Sequence, residues 1–124
     1  MTTPREMGRF LEQIVRPTLD GAPAPAGPAA EPHGGPLARE ACLLMLDILR
    51  RQQVRDRLPL LLPPGVDLAH KTGSLTRVSN DAGVLFTSTG PCIVSVFTRD
   101  LADDFKGRLA IAEIGRAVYD AYAG

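Results

Sequence analysis

His70-Lys71-Thr72-Gly73-Ser74-Leu75 is the stretch whose reading decides the fold of this chain. It lies at the end of a short, loosely alternating run, Val66 to Thr72, which follows the breaker Pro63-Pro64-Gly65. That setting predicts a strand carrying Lys71, with Gly73 just past it. A glycine there lets the backbone approach a ligand closely. A lysine on a rigid strand can hold a carboxylate or tune a neighbouring proton acceptor. The Thr72 hydroxyl beside it can bond the same carboxylate, and the N–H of Ser74 can stabilise a developing oxyanion. The tripeptide Lys-Thr-Gly also arises by chance in solvated turns. Here the breaker before it and the elements after it favour a strand.

Downstream, Asp81 to Thr87 contains Val84-Leu85-Phe86, and Cys92 to Thr98 is rich in β-formers and nearly apolar on both faces, as in an inner strand. Ser88-Thr89-Gly90-Pro91 joins them as a short turn, which predicts an antiparallel hairpin. Gly73 to Asn80 is expected to make the preceding connection. A last helix is expected from about Lys106 to Tyr122, with Ile111, Ile114, Val118 and Ala121 as its buried stripe. Glu113, Arg116 and Asp120 take the other side, at spacings that allow weak ion pairs.

Upstream, Thr3-Pro4-Arg5-Glu6 is a helix start: Thr3 can cap, Pro4 suits the first helical position and Glu6 completes a capping box. Met7, Phe10, Leu11 and Ile14 then form one apolar stripe, and Pro17 ends the helix. Residues 20–36 are almost entirely Gly, Ala and Pro, too poor in buriable surface to offset their ordering entropy, and read as a flexible linker. His33 lies within it and reads as a solvated side chain. A second helix is expected over Leu37 to Gln53. Ala41 to Leu49 is apolar except for Asp47, which implies burial on more than one side. Val54 to Leu62 can add a short helical turn. The order is helix (1–19), linker (20–36), then a helix, three strands and a helix (37–124), an α+β chain with helices packed on a small antiparallel sheet.

The 124 residues fit one domain or part of one. Fourteen basic and fourteen acidic side chains cancel, so no field draws nucleic acid or an acidic membrane. With no Trp and few aromatics, a stacking platform for bases is not expected. Cys42 and Cys92 have no metal or redox spacing and read as two buried thiols. The first twenty residues lack the apolar core of a signal peptide, and no segment reaches the roughly 20 apolar residues of a membrane span. The expectation is a cytoplasmic chain, or a periplasmic or secreted one if a leader precedes it.

The chain resembles the C-terminal half of class A β-lactamase-type serine hydrolases, the penicillin-recognising enzymes in which Lys-Thr-Gly on a strand is one of three signatures. The matching pieces are Thr2-Thr3-Pro4-Arg5-Glu6-Met7, Leu62-Pro63-Pro64-Gly65 leading to His70–Leu75, Asn80-Asp81-Ala82-Gly83-Val84, and Ile111-Ala112-Glu113-Ile114. The resemblance implies that Lys71 helps bind the substrate carboxylate, that Thr72 touches it, that Gly73 belongs to the same binding edge, and that Ser74 gives one oxyanion N–H. It implies neither metal nor cofactor. Asn80-Asp81 resembles a pair at the start of the next strand, structural in character. Arg77 is a further candidate for the carboxylate.

The departures matter as much. No Ser-x-x-Lys and no Ser-Asp-Asn occurs in the 124 residues. By resemblance these, the deacylating glutamate, the helical domain and two strands belong upstream, and one of those strands pairs with the strand at 92–98. That strand is then expected as an edge, open to a second copy or a complementary chain. Three functions stay open: part of a serine hydrolase acting on β-lactams or related amides and esters, inactive alone; a non-catalytic binding or assembly module; or a non-functional truncated product. A β-lactam-like small molecule is the expected partner only of the completed fold.

Overall fold

The structure is a computed structural model, and it describes residues 2–21 and 38–123. The expected linker falls almost wholly outside them, as does His33. The elements are α1 (Pro4–Val15) with a 3-10 turn at Arg16–Thr18, α2 (Arg39–Arg50), β1 (Leu68–Leu75), β2 (Val78–Thr87), β3 (Gly90–Phe97) and α3 (Asp104–Tyr122). This is the α+β arrangement read from the sequence.

The helix starts follow from their caps. The Thr3 hydroxyl accepts the Glu6 N–H, and the Glu6 carboxylate accepts the Thr3 N–H at 2.8 Å. These bonds hold the Glu6 carboxyl below its ordinary range. Asp103 caps α3 by accepting the Lys106 N–H.

The sheet has the order β1-β2-β3, antiparallel throughout. The expected connection over Gly73 to Asn80 is corrected: both strands extend until Leu75 lies opposite Val78, and only Thr76-Arg77 turns the chain. Arg77, the second turn residue, adopts the left-handed conformation with φ 60°. Its guanidinium donates to the carbonyls of Asp100 and Leu101, so it clasps the loop before α3.

Each face of the sheet carries its own core. Leu11, Ile14 and Val15 of α1 with Cys42 and Leu46 of α2 bury Ala69, Ala82 and Val84 on one face. Leu58, in the turns before β1, and Ile111 of α3 bury Leu68, Leu85 and Val94 on the other. Burial pushes both thiols up, although Cys92 is only half-buried.

Four helical expectations need correction. On α1, Phe10 is 51% exposed while Val15, outside the expected stripe, is buried. On α2, which stops at Arg50, Leu44 and Ile48 are more than half exposed, so the helix is buried on one side only. On α3, Ile114 is 42% exposed and Ala121 faces outward. The inner face there is Gly107, Ile111, Ala112 and Gly115. The reason is close approach: a Cβ on Gly115 would lie 2.6 Å from the Leu58 carbonyl oxygen. The helical turn expected within Val54 to Leu62 is replaced by turns, because the Leu58 N–H donates to Asp81 across the sheet.

Candidate functional site

The geometry around Lys71 follows from strand alternation. Ser79 directs its N–H and C=O toward Thr98, whose hydroxyl accepts the first at 2.9 Å and donates to the second. Residues facing each other in an antiparallel pair alternate between bonded and non-bonded. Ser74, opposite Ser79, therefore directs its N–H and C=O away from β2, out of the free edge of the sheet. The same alternation turns the Thr72 carbonyl outward, and the Lys71 ammonium donates to it at 2.6 Å. Among the described residues, an ammonium and an unclaimed amide thus share one strand edge.

Lys71 is exposed and looks onto a cleft of about 410 Å³ between α1 and the β1–β2 face. Its walls are mainly apolar: Met7, Phe10, Ile14, Leu49 and Phe97. Gly73 stands on the same face, with open space where a side chain would be. Thr72, opposite Asp81, is nearly buried on the α3 side. Lys71 and Thr72 thus project from opposite faces and meet only along the strand edge. Among the described residues, no cluster of three or more His, Cys, Asp or Glu could hold a metal.

Behind the edge lies a support that the sequence reading missed. Arg57 is 3% exposed. Its guanidinium donates to Gly73 O at 3.1 Å and Asn80 O at 3.0 Å, and to the Ser74 hydroxyl. Gly73 and Asn80 are the facing pair next to Ser74 and Ser79, so Arg57 ties the two strands together one residue before the outward amide. Asp56 lies 3.5 Å from Arg57 and 3.4 Å from Arg108. One residue on, the fully buried Asp81 carboxylate accepts the Leu58 N–H at 3.1 Å and the His70 Nδ1–H at 2.9 Å. These two bonds hold Asp81 inside the fold. Arg57 and Leu58 act as a strap across the back of β1 and β2.

His70 also explains a glycine. A Cβ on Gly83 would sit 2.6 Å from the His70 Cβ and 2.5 Å from the Ala69 carbonyl oxygen. The buried His70–Asp81 pair, and with it the strand that presents Lys71, requires a bare backbone at that point of β2.

Residues 1–122 match the profile of the Beta-lactamase enzyme family. The extended-spectrum β-lactamase PER-1 of Pseudomonas aeruginosa is 36% identical over 72 residues, 52% of this chain and 23% of that protein. The β-lactamase of Sphaerobacter thermophilus superposes with a TM-score of 0.75 at 31% identity, over 97% of this chain and 40% of its own. A variant of PBP-A, solved as its acyl-enzyme complex with penicillin G, superposes with a TM-score of 0.71 at 28% identity, over 97% of this chain and 39% of its own. The chain thus spans about two fifths of the solved structures it matches. With the family profile matched across residues 1–122, this chain belongs to the β-lactamase enzyme family.

Proposed function

We propose that this chain supplies the carboxylate-binding and oxyanion edge of a serine acyl-transfer site of β-lactamase type, and that the nucleophile comes from outside these 124 residues. The observation that carries the reading is the outward Ser74 amide beside the Lys71 ammonium on a free strand edge. In the completed site a serine hydroxyl attacks the substrate carbonyl. Its proton passes to a base, and the carbonyl oxygen becomes an oxyanion that the Ser74 N–H meets as charge develops. Lys71, with Thr72 at the edge, holds the substrate carboxylate. Arg57 acts on the same strand from behind, keeping Ser74 in place. The acyl-enzyme of PBP-A with penicillin G supports the reaction class.

The alternative, a binding or assembly module without catalysis, is favoured by the lack of Ser-x-x-Lys in the sequence. Nitrocefin separates the two. The chain alone is expected to give no turnover. A chimera in which it replaces the aligned two fifths of the Sphaerobacter thermophilus enzyme is expected to hydrolyse nitrocefin, with Lys71→Ala lowering kcat/KM by about 10²–10³-fold. A folded chimera that is inert, or whose turnover ignores Lys71→Ala, would favour the module. Turnover by the isolated chain that Lys71→Ala abolishes would also refute the divided site.

A further inference from the structure

Helix α2 carries more apolar surface than its place in the fold uses. Cys42, Leu46 and Leu49 pack inward against the core that holds Ala69 and Val84. A helix lying on a core needs one such stripe. Ala41, Leu44 and Ile48 form a second, at i, i+3 and i+7, on the outer side. Leu44 is 58% exposed and Ile48 56%, with the exposed Leu43 next to Leu44. Apolar residues scattered over a surface need no explanation, whereas a continuous patch marks a contact. Ala41 to Leu49 therefore reads as a helix buried on more than one side, although the described residues cover only one.

The charges along this stripe have opposite signs at its two ends. Glu40 is exposed in the first turn and Arg51 is exposed at the C-terminal cap. At 1.5 Å per residue they stand about 16 Å apart along the axis, on the same side of the helix as Leu44. Arg51 donates to Asp47 at 2.6 Å, with both side chains more than half exposed, so its guanidinium keeps donors for a second carboxylate. Arg50, by contrast, is held by Asp67 at 2.7 Å. The change of sign makes α2 complementary to itself when a second copy is turned round. A two-fold, antiparallel pair sets Leu44 of each copy against Ile48 of the other and Glu40 of each against Arg51 of the other, with the helix dipoles opposed. A parallel pair would set like charge against like at both ends.

We infer that the outer face of α2 is a self-association surface whose occupant is α2 of a second copy of this chain, packed antiparallel about a two-fold axis. Two observations point to this occupant: the apolar stripe is exposed along its length, and its flanking charges complement their own reversed order. The face is one helix wide, short of the roughly 1,200 Å² of total burial in a standard interface. The dimer is therefore weak, with Kd on the order of 100 µM. The inference is independent of the acyl-transfer reading, because neither Leu44 nor Ile48 lines the cleft beside Lys71.

Sedimentation equilibrium of the full chain over about 10 µM to 1 mM, a range that spans this Kd, tests it. The parent is expected to pass from mostly monomer to mostly dimer. Leu44→Glu should weaken association at least about tenfold, by setting a carboxylate in each half of the contact, with the far-ultraviolet circular dichroism of the parent. Charge reversal reads the geometry. Glu40→Arg and Arg51→Glu should each self-associate about tenfold more weakly than the parent, because like charges then meet at both ends. An equimolar mixture of these two variants should recover the parent's affinity, since each copy then supplies the charge its partner lacks at both contacts. A parent that stays monomeric at the top of the range would overturn the inference. So would a dimer that survives Leu44→Glu, which would place the contact elsewhere, the β3 edge included. A mixture that associates no more tightly than either variant alone would refute the antiparallel pair.

Discussion

Replacing Arg57 by methionine should loosen the strand that carries the site without unfolding the chain. Methionine keeps much of the apolar stem and removes the guanidinium. Three hydrogen bonds are lost, to Gly73 O, Asn80 O and the Ser74 hydroxyl. A bond from a charged donor contributes about 1.5–3 kcal/mol, most where its acceptor is left dry. Gly73 and Ser74 are exposed, so water can reach two of the three acceptors and each bond counts at or below the low end. The sum is about 3 kcal/mol. A chain of this size has roughly 6–18 kcal/mol of stability, so the variant still folds, and its melting temperature falls by roughly 10 °C. Asp56 keeps Arg108 at 3.4 Å, so no carboxylate is stranded. Circular dichroism melts give the stability change, and hydrogen exchange at Gly73 and Asn80 locates it, with both amides expected to exchange at least about tenfold faster. A melting temperature within 2 °C of the parent, with unchanged exchange at those amides, would show that Arg57 does not hold the edge.

Two further outcomes follow from the same contacts. Gly83→Ala forces a methyl against the Ala69 carbonyl and the His70 Cβ, so it should cost about 3 kcal/mol or more; a thermal melt matching the parent would contradict the packing described. The depressed Glu6 carboxyl makes the α1 cap pH-dependent. A carboxylate held below its unfolded range adds stability above that range and loses it as pH falls through its folded value. The melting temperature of Glu6→Ala should therefore lie below the parent's at pH 7 and approach it near pH 3; a gap that persists undiminished in acid would refute this.

The elements legible in the sequence are those decided by neighbours along the chain. Thr3, Pro4 and Glu6 specify the α1 start within four residues, and the Ser88-Thr89-Gly90-Pro91 turn between two runs rich in β-formers marks the hairpin. Lys71, Thr72, Gly73 and Ser74 were identifiable as a group because their spacing is local. What escaped depends on contacts between distant residues. Arg57 sits in a polar stretch that looks solvated until the β1–β2 hairpin, 16 and 23 residues later, closes over it. Ser74 and Leu75 look like turn residues because the outer half of β1 faces solvent, yet pairing with Ser79 and Val78 keeps them in the strand. Ile114 and Ala121 fitted an apolar stripe, but the glycine-lined face of α3 approaches the sheet more closely and takes the core position.

The most direct measurement is an NMR titration of the ¹⁵N-labelled chain with penicillin G. Weak saturable binding is expected, with Kd on the order of 1 mM, shifting the amides of Thr72, Gly73 and above all Ser74, and lost in Lys71→Ala. Shifts confined to other residues, or shifts at Ser74 that survive Lys71→Ala unchanged, would contradict the claim that the Lys71 ammonium and the Ser74 amide form one half of an acyl-transfer site.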